Sequence, residues 1–197
     1  KEFEAVGFFI SDHPLNQFTE IFNDYKINEY TNFISNNEIK NSNIAATLLK
    51  LQERKTAKGN SYAVLKLTDL SSVFELFIFS DVLELNREIL KEGNSLILTL
   101  VKNITDDENR FKRINVQKIA SLKDLFNSPI KEVSFEVSSH DQVEAISKIL
   151  DENGKTFVHI KLVTDHNILQ FKLKNPKNLD RKSLNLLRKQ QIQATIA

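Results

Sequence analysis

Ile44-Ala45-Ala46-Thr47-Leu48-Leu49-Lys50-Leu51-Gln52-Glu53-Arg54 is a long apolar-rich run that ends in a basic stretch, Glu53-Arg54-Lys55. An ordinary strand is about 5–6 residues, so a strand over 44–54 is expected to bend and serve two sheets. Thr56-Ala57-Lys58-Gly59-Asn60 follows as a turn, with Gly59 able to take positive φ. Tyr62 to Thr68 alternates as a second strand, Asp69 to Ser72 turns the chain, and Val73 to Phe79 makes a third. On the third strand Phe74, Leu76 and Ile78 point one way, while Val73, Glu75, Phe77 and Phe79 point the other.

Working outward, Asp81 to Leu90 predicts a helix whose face is Val82, Leu85 and Ile89, with Asp81 and Glu84 as a capping pair. Glu92-Gly93-Asn94 breaks it. Ser95 to Val101 is a fourth strand, Asp106-Asp107-Glu108-Asn109 a polar hairpin turn, and Phe111 to Ile119 a fifth strand. Three strands, a helix and two strands is the order of a five-stranded OB-fold barrel, placed over 44–121.

The flanks read differently. Over 1–43 a short helix, a break at His13-Pro14 and a second helix (Leu15, Phe18 and Phe22 at helical spacing) lead into an Asn-rich linker from Asn23 to Asn43, which packs Tyr25, Tyr30 and Phe33 against a neighbour. A second linker, 122–131, carries Pro129. Over 132–197 the order is strand (Val133 to Ser138), helix (Asp141 to Glu152), strands (Thr156 to Val163 and Ile168 to Leu173), helix (Asp180 to Lys189) and a short strand near Ile192 to Ile196. Ser139 with Gln142 forms a capping box and Asn153-Gly154 a C-cap. The fold class is therefore mainly β plus α+β, a barrel followed by a small βαββαβ domain.

Composition narrows the chemistry. The 197 residues hold 41% hydrophobic and 27% charged side chains, ordinary for a water-soluble domain. No apolar run approaches the ~18 residues of a membrane span, and Lys1-Glu2-Phe3-Glu4 does not open a signal peptide, so no membrane partner and a cytoplasmic setting are expected. Without cysteine, disulfides, thiolate catalysis and zinc ribbons are excluded. Methionine is also absent, even at position 1, which suggests a piece of a larger protein. Net charge is +1, so nucleic acid would have to meet a local patch.

The words at the N-terminus carry a resemblance. Val6-Gly7-Phe8-Phe9-Ile10-Ser11-Asp12-His13-Pro14-Leu15 resembles the "LGFYLSGHPL" segment that precedes the OB domain in bacterial DNA polymerase III alpha subunits. The likeness runs through Arg54-Lys55-Thr56-Ala57-Lys58-Gly59 and Leu67-Thr68-Asp69. It continues in Phe74-Glu75-Leu76-Phe77-Ile78-Phe79-Ser80-Asp81, similar to that family's "LEDLTGSVEVVVFPD". The sequence departs from the pattern at Asp12 and at Ser71-Ser72, where the family usually has Gly before the His and Ser or Thr followed by Gly. The resemblance covers essentially the whole chain, and the βαββαβ tail looks like the family's C-terminal domain. It implies a C-terminal, non-catalytic region of a replicative polymerase. Its OB domain would meet single-stranded DNA, its last domain the tau subunit of the clamp loader, and both would adjoin the remainder of the polymerase subunit. The parent's nucleotidyltransferase centre, with its magnesium, would lie upstream; no cofactor is expected here.

Arg54, Lys55 and Lys58 cluster on the loop between strands one and two, which in an OB fold borders the single-strand groove, where cations neutralise phosphates; the competing reading is a solvated hairpin tip. Lys66, Lys112 and Arg113 would extend the patch. Phe77, and Tyr62 on the second strand, would stack bases, or else seal the barrel against a neighbouring segment. Asp106, Asp107 and Glu108 read as a solvated turn rather than a metal site. The four histidines, at 13, 140, 159 and 166, have no metal-ligand spacing and no nucleophile beside them, and His13 is expected to brace a helix start. Two other functions compete: a structural docking module without nucleic acid, and an anticodon-binding OB module of a tRNA synthetase. The small βαββαβ unit that follows argues against the latter.

Overall fold

The computed structural model describes residues 12–57, 59–103, 113–164 and 167–196. Contacts divide the chain into two compact units, 1–127 and 128–197. The first holds a 3-10 helix (Asn16–Ile21), β1 (Ile27–Asn28), α1 (Tyr30–Ser35), β2 (Asn41–Lys55), β3 (Ser61–Thr68), β4 (Val73–Phe79), α2 (Ser80–Asn86), β5 (Ser95–Asn103), β6 (Arg113–Ser121) and α3 (Leu122–Asn127).

Residues 44–48 are buried without a break because both faces of β2 are covered. Ile44, Ala46 and Leu48 enter the main core with Leu65, Leu76 and Leu98. Ala45, on the opposite face, meets Leu15, Phe18 and Ile21 of the N-terminal segment. β2 pairs with β5 through Asn41–Thr47 and with β3 from Thr47 to Lys55, with a register shift between Leu48 and Lys50 where the strand changes partner. Leu49 is the residue left out of the ladder at that shift, between the β5-paired and β3-paired halves of the strand.

The hydrogen-bonded order is β4-β3-β2-β5-β6, with β1 parallel to β2. The expected closed five-stranded barrel does not form. β4 and β6 approach within 8 Å, Cα to Cα, but make no ladder. Closure needs backbone groups at hydrogen-bonding distance in matched register. Here the side chains of Phe77 and Phe79 on β4 and Arg113 and Ile114 on β6 occupy the seam instead.

Local expectations divide. Burial along β4 alternates strictly, with Phe74, Leu76 and Ile78 inside. The turn before it is built by Asp69, whose carboxylate accepts from the backbone N–H groups of Ser71 (2.9 Å), Ser72 (2.7 Å) and Tyr30 (2.6 Å). None of residues 69–72 takes a positive φ, so the turn does not require glycine. α2, however, ends at Asn86, and Leu85 is 86% exposed; Leu83 and Leu90 are the buried residues. Asp81 and Glu84 do not cap it: no side chain caps the N-terminus, and Glu84 pairs with Arg87 at 2.6 Å. The stretch 23–43 is not a plain linker. α1 buries Phe33 and stacks Tyr30 on Phe74, with ring centroids 3.7 Å apart. The first half of the 122–131 linker is likewise α3.

The second unit runs β7 (Glu132–Val137), α4 (His140–Ile149), β8 (Asp151–Val163), β9 (Ile168–Lys172), β10 (Lys177–Asn178), α5 (Arg181–Lys189) and β11 (Gln193–Ile196). β8 is central: parallel β7 lies on one side, with β11 beyond it, and antiparallel β9 and β10 share the other. β10 is an addition to the expected βαββαβ order. Val133, Phe135 and Val158 form the core with Ile146 of α4 and Leu184 and Leu187 of α5. Ser139 caps α4, its Oγ accepting from Gln142 N–H; the Gln142 side chain returns to the Ser138 N–H rather than to Ser139. Asn153-Gly154 is not a C-cap. α4 stops at Ile149 and the pair lies inside β8, where a Cβ on Gly154 would collide with the backbone of Lys177 and Asn178. Glycine is required there by the close approach of β10, not by a helix end.

Candidate nucleic-acid interface

The open seam of the first unit is a groove of about 660 Å³. One wall is the outer face of β4, where Glu75, Phe77 and Phe79 follow one another at alternate positions, with Leu76 beneath. Tyr62 of β3 continues that wall, its ring 6.5 Å from Phe77. Lys55, Thr56 and Ala57 close one end, and Arg113, Ile114 and Asn115 of β6 form the facing wall.

Phe77 is 55% and Phe79 50% exposed, an unusual amount of aromatic surface for two neighbours on one strand. Alternation explains it: in register opposite them stand Val64 and Tyr62, and the strand's other face is committed to the core. The Arg113 guanidinium lies over the Phe79 ring, 5.5 Å from its centroid. Such stacking orders the cation without neutralising it. The turn that carries Lys55 is tied by Thr56 N–H to Asn60 O (2.8 Å) and Gly59 N–H to Thr56 O (2.9 Å), with Gly59 at φ 82°. Glu53, the acid beside this basic stretch, is engaged by Arg87 at 2.7 Å.

The structure brings together Lys55, Tyr62, Phe77 and Arg113. Arg54 and Lys66 stay outside the lining: Arg54 donates to Gln52 Oε1 at 2.8 Å, and Lys66 sits in register with Glu75 on the outer face. Lys58 and Lys112 lie outside the described residues, as do Asp106, Asp107, Glu108 and His166. Sequence reasoning missed Phe79 as a wall residue, although its alternation with Phe77 placed it on the same face; its partnership with Arg113 depends on how the seam forms and has no sequence signal.

Two of the described histidines, His13 and His159, have defined partners. His13 Nδ1 accepts from Leu15 N–H at 3.1 Å and braces the start of the 3-10 helix. Burial lowers its pKa from the ordinary value of 6.5, against the upward pull of Asp69 and Asp12. His159 Nε2 lies 2.6 Å from Glu132 Oε1 in the second unit. Among the described residues no group of three His, Asp or Glu is placed to hold a metal, and no helix is long and apolar enough to cross a membrane.

No family model matches the chain. Among curated proteins it is similar to DNA polymerase III subunit alpha of Rickettsia conorii, 30% identical over 151 residues, which is 76% of this chain and 12% of that protein. The Rickettsia bellii subunit is 30% identical over 170 residues, 82% of the chain and 14% of the relative. That of Borreliella burgdorferi is 23% identical over 202 aligned residues, 95% of the chain and 17% of the relative. The chain therefore spans only 12–17% of the length of these relatives. By sequence, then, this chain matches a partial region of the DNA polymerase III alpha subunit.

Proposed function

We propose that the chain is a non-catalytic, C-terminal module of a bacterial replicative DNA polymerase, whose first unit is an open OB-type barrel that binds single-stranded DNA. The observation that carries this is the groove: exposed aromatics on one wall, cations at one end and on the other wall. Aromatic faces take successive bases by stacking and cations track the phosphates, the combination that single-strand binders use. The strand order supports the reading, because β4-β3-β2-β5-β6 is the order of an OB barrel cut at one seam. The second unit engages the tau subunit of the clamp loader, and the polymerase active site with its magnesium lies upstream in the parent subunit, in the cytoplasm. This rests on the alpha-subunit relationship.

A titration with a fluorescent oligonucleotide tests the binding. Each phosphate neutralised on a single strand contributes about −0.7 to the slope of log K against log salt. The two cations that line the groove, Lys55 and Arg113, give a slope of roughly −1.4 by the same rule. Absence of binding at low salt overturns the reading. It would favour instead a protein-docking role without nucleic acid, for which the Glu75 carboxylate in the groove is the supporting observation.

A further inference from the structure

Glu75 is the groove residue that phosphate binding does not use. Its side chain is exposed on the outer face of β4, two positions from Phe77, or ~6.6 Å along a strand. It makes no hydrogen bond or ion pair among the described residues. Lys66 stands in register across the ladder but is not bonded to it. A free carboxylate beside a stacking ring is at odds with phosphate and suited to a different part of a nucleotide. Base edges carry amino donors, and a carboxylate accepts from them.

The facing wall supplies the complementary partner. Arg113, held over Phe79, presents only donors, so a base lying on Phe77 has an acceptor near one edge and a donor across the groove. Cytosine matches both: its N4 amino group donates and its ring N3 and O2 accept. Thymine places the O4 carbonyl where cytosine has the amino group, so its oxygen would face the carboxylate.

We propose that Glu75 makes the groove a base-selective site that favours cytosine over thymine, through acceptance of the cytosine amino hydrogen by its carboxylate. This rests on the single-stranded DNA reading above. It departs from simple backbone tracking, which is indifferent to the base edge.

The test compares oligodeoxycytidine with oligodeoxythymidine of equal length, by fluorescence anisotropy with the full chain at low salt and slightly alkaline pH, where cytosine is uncharged. The cytidine oligomer is expected to bind roughly fivefold to tenfold tighter, the lower range for one base-edge contact. Glu75→Gln, exposed and nearly isosteric, should bring the two affinities together, chiefly by strengthening thymidine binding, since its amide can donate to O4. Equal affinities in the wild type, tighter thymidine binding, or a preference that survives Glu75→Gln each overturns the inference while leaving DNA binding standing. Failure of both oligomers to bind removes the DNA reading itself.

Discussion

Both units leave one sheet surface uncovered, yet they dispose their exposed apolar residues in opposite ways. In the first, Phe77 and Phe79 sit in a concavity faced by Arg113 and ended by Lys55. In the second, Ile168, Leu169 and Phe171 are 68%, 48% and 51% exposed along the short edge strand β9, and the Phe157 ring is covered by the Lys172 ammonium at 4.9 Å. The groove can enclose a thin, flexible polymer and place its charge. The edge offers unpaired backbone groups and a narrow apolar line, which suits another polypeptide. Exposed aromatic and aliphatic side chains thus stand in a concavity in one unit and along a strand edge in the other.

The largest effects come from the separate cores. Phe135 is fully buried in the second unit, and Phe135→Ala is expected to cost about 3–5 kcal/mol there. Calorimetry should show the second unit's transition falling while that of the first stays put; a shift of both would break the comparison. Asp69→Ala removes the acceptor of three backbone N–H groups at the turn before β4 and should destabilise the first unit by roughly 2–3 kcal/mol in chemical denaturation. An unchanged midpoint would mean that water satisfies those donors.

Phe77→Ala and Phe171→Ala sharpen the contrast between the exposed aromatics. The first should weaken oligonucleotide binding by about 1–3 kcal/mol without altering the salt slope, the worth of one stacked base. The second should leave binding unchanged. Equal effects would show that surface aromaticity, not the groove, holds the strand.

The smallest effect is a pH dependence confined to the first unit. His13 titrates below 6.5 in the folded chain because burial disfavours its cation. A depressed histidine folds preferentially neutral, so the unit is undiminished above the unfolded pKa and loses stability as the pH falls through 6.5 and below. His13→Asn should flatten that part of the melting-temperature profile. NMR titration of the imidazole at or above 6.5 would contradict it.

How much of this was legible depended on whether local pattern or distant contact decided it. The apolar-rich run from Ile44 announced a long strand shared between neighbours, and the alternation of β4 fixed which aromatics stay outside. Asn153-Gly154 misled because a glycine needed for close backbone approach looks, in sequence, like one needed for a helix end. Leu85 misled because in so short a helix the spacing does not say which side faces the core: Val82 and Leu83 turn inward and Leu85 turns out. Nothing local foretold that β4 and β6 would leave a gap, because that depends on how two strands more than thirty residues apart in the chain meet. The tie of Arg113 to Phe79 is invisible for the same reason.

The shared strand β2 also has a kinetic meaning. Its second half pairs with β3 across a short turn, which can close early, but its first half must wait for β5, with Asn41 opposite Val101 and Thr47 opposite Ser95. Such distant pairings are slow to find, because loop entropy is lost before the contacts repay it. Until β5 arrives, the first half of β2 lacks one of its two ladder neighbours. The second unit shares the difficulty, for β7 must wait for β11, with Val133 opposite Ile196, so both sheets are completed only by strands that leave the ribosome late.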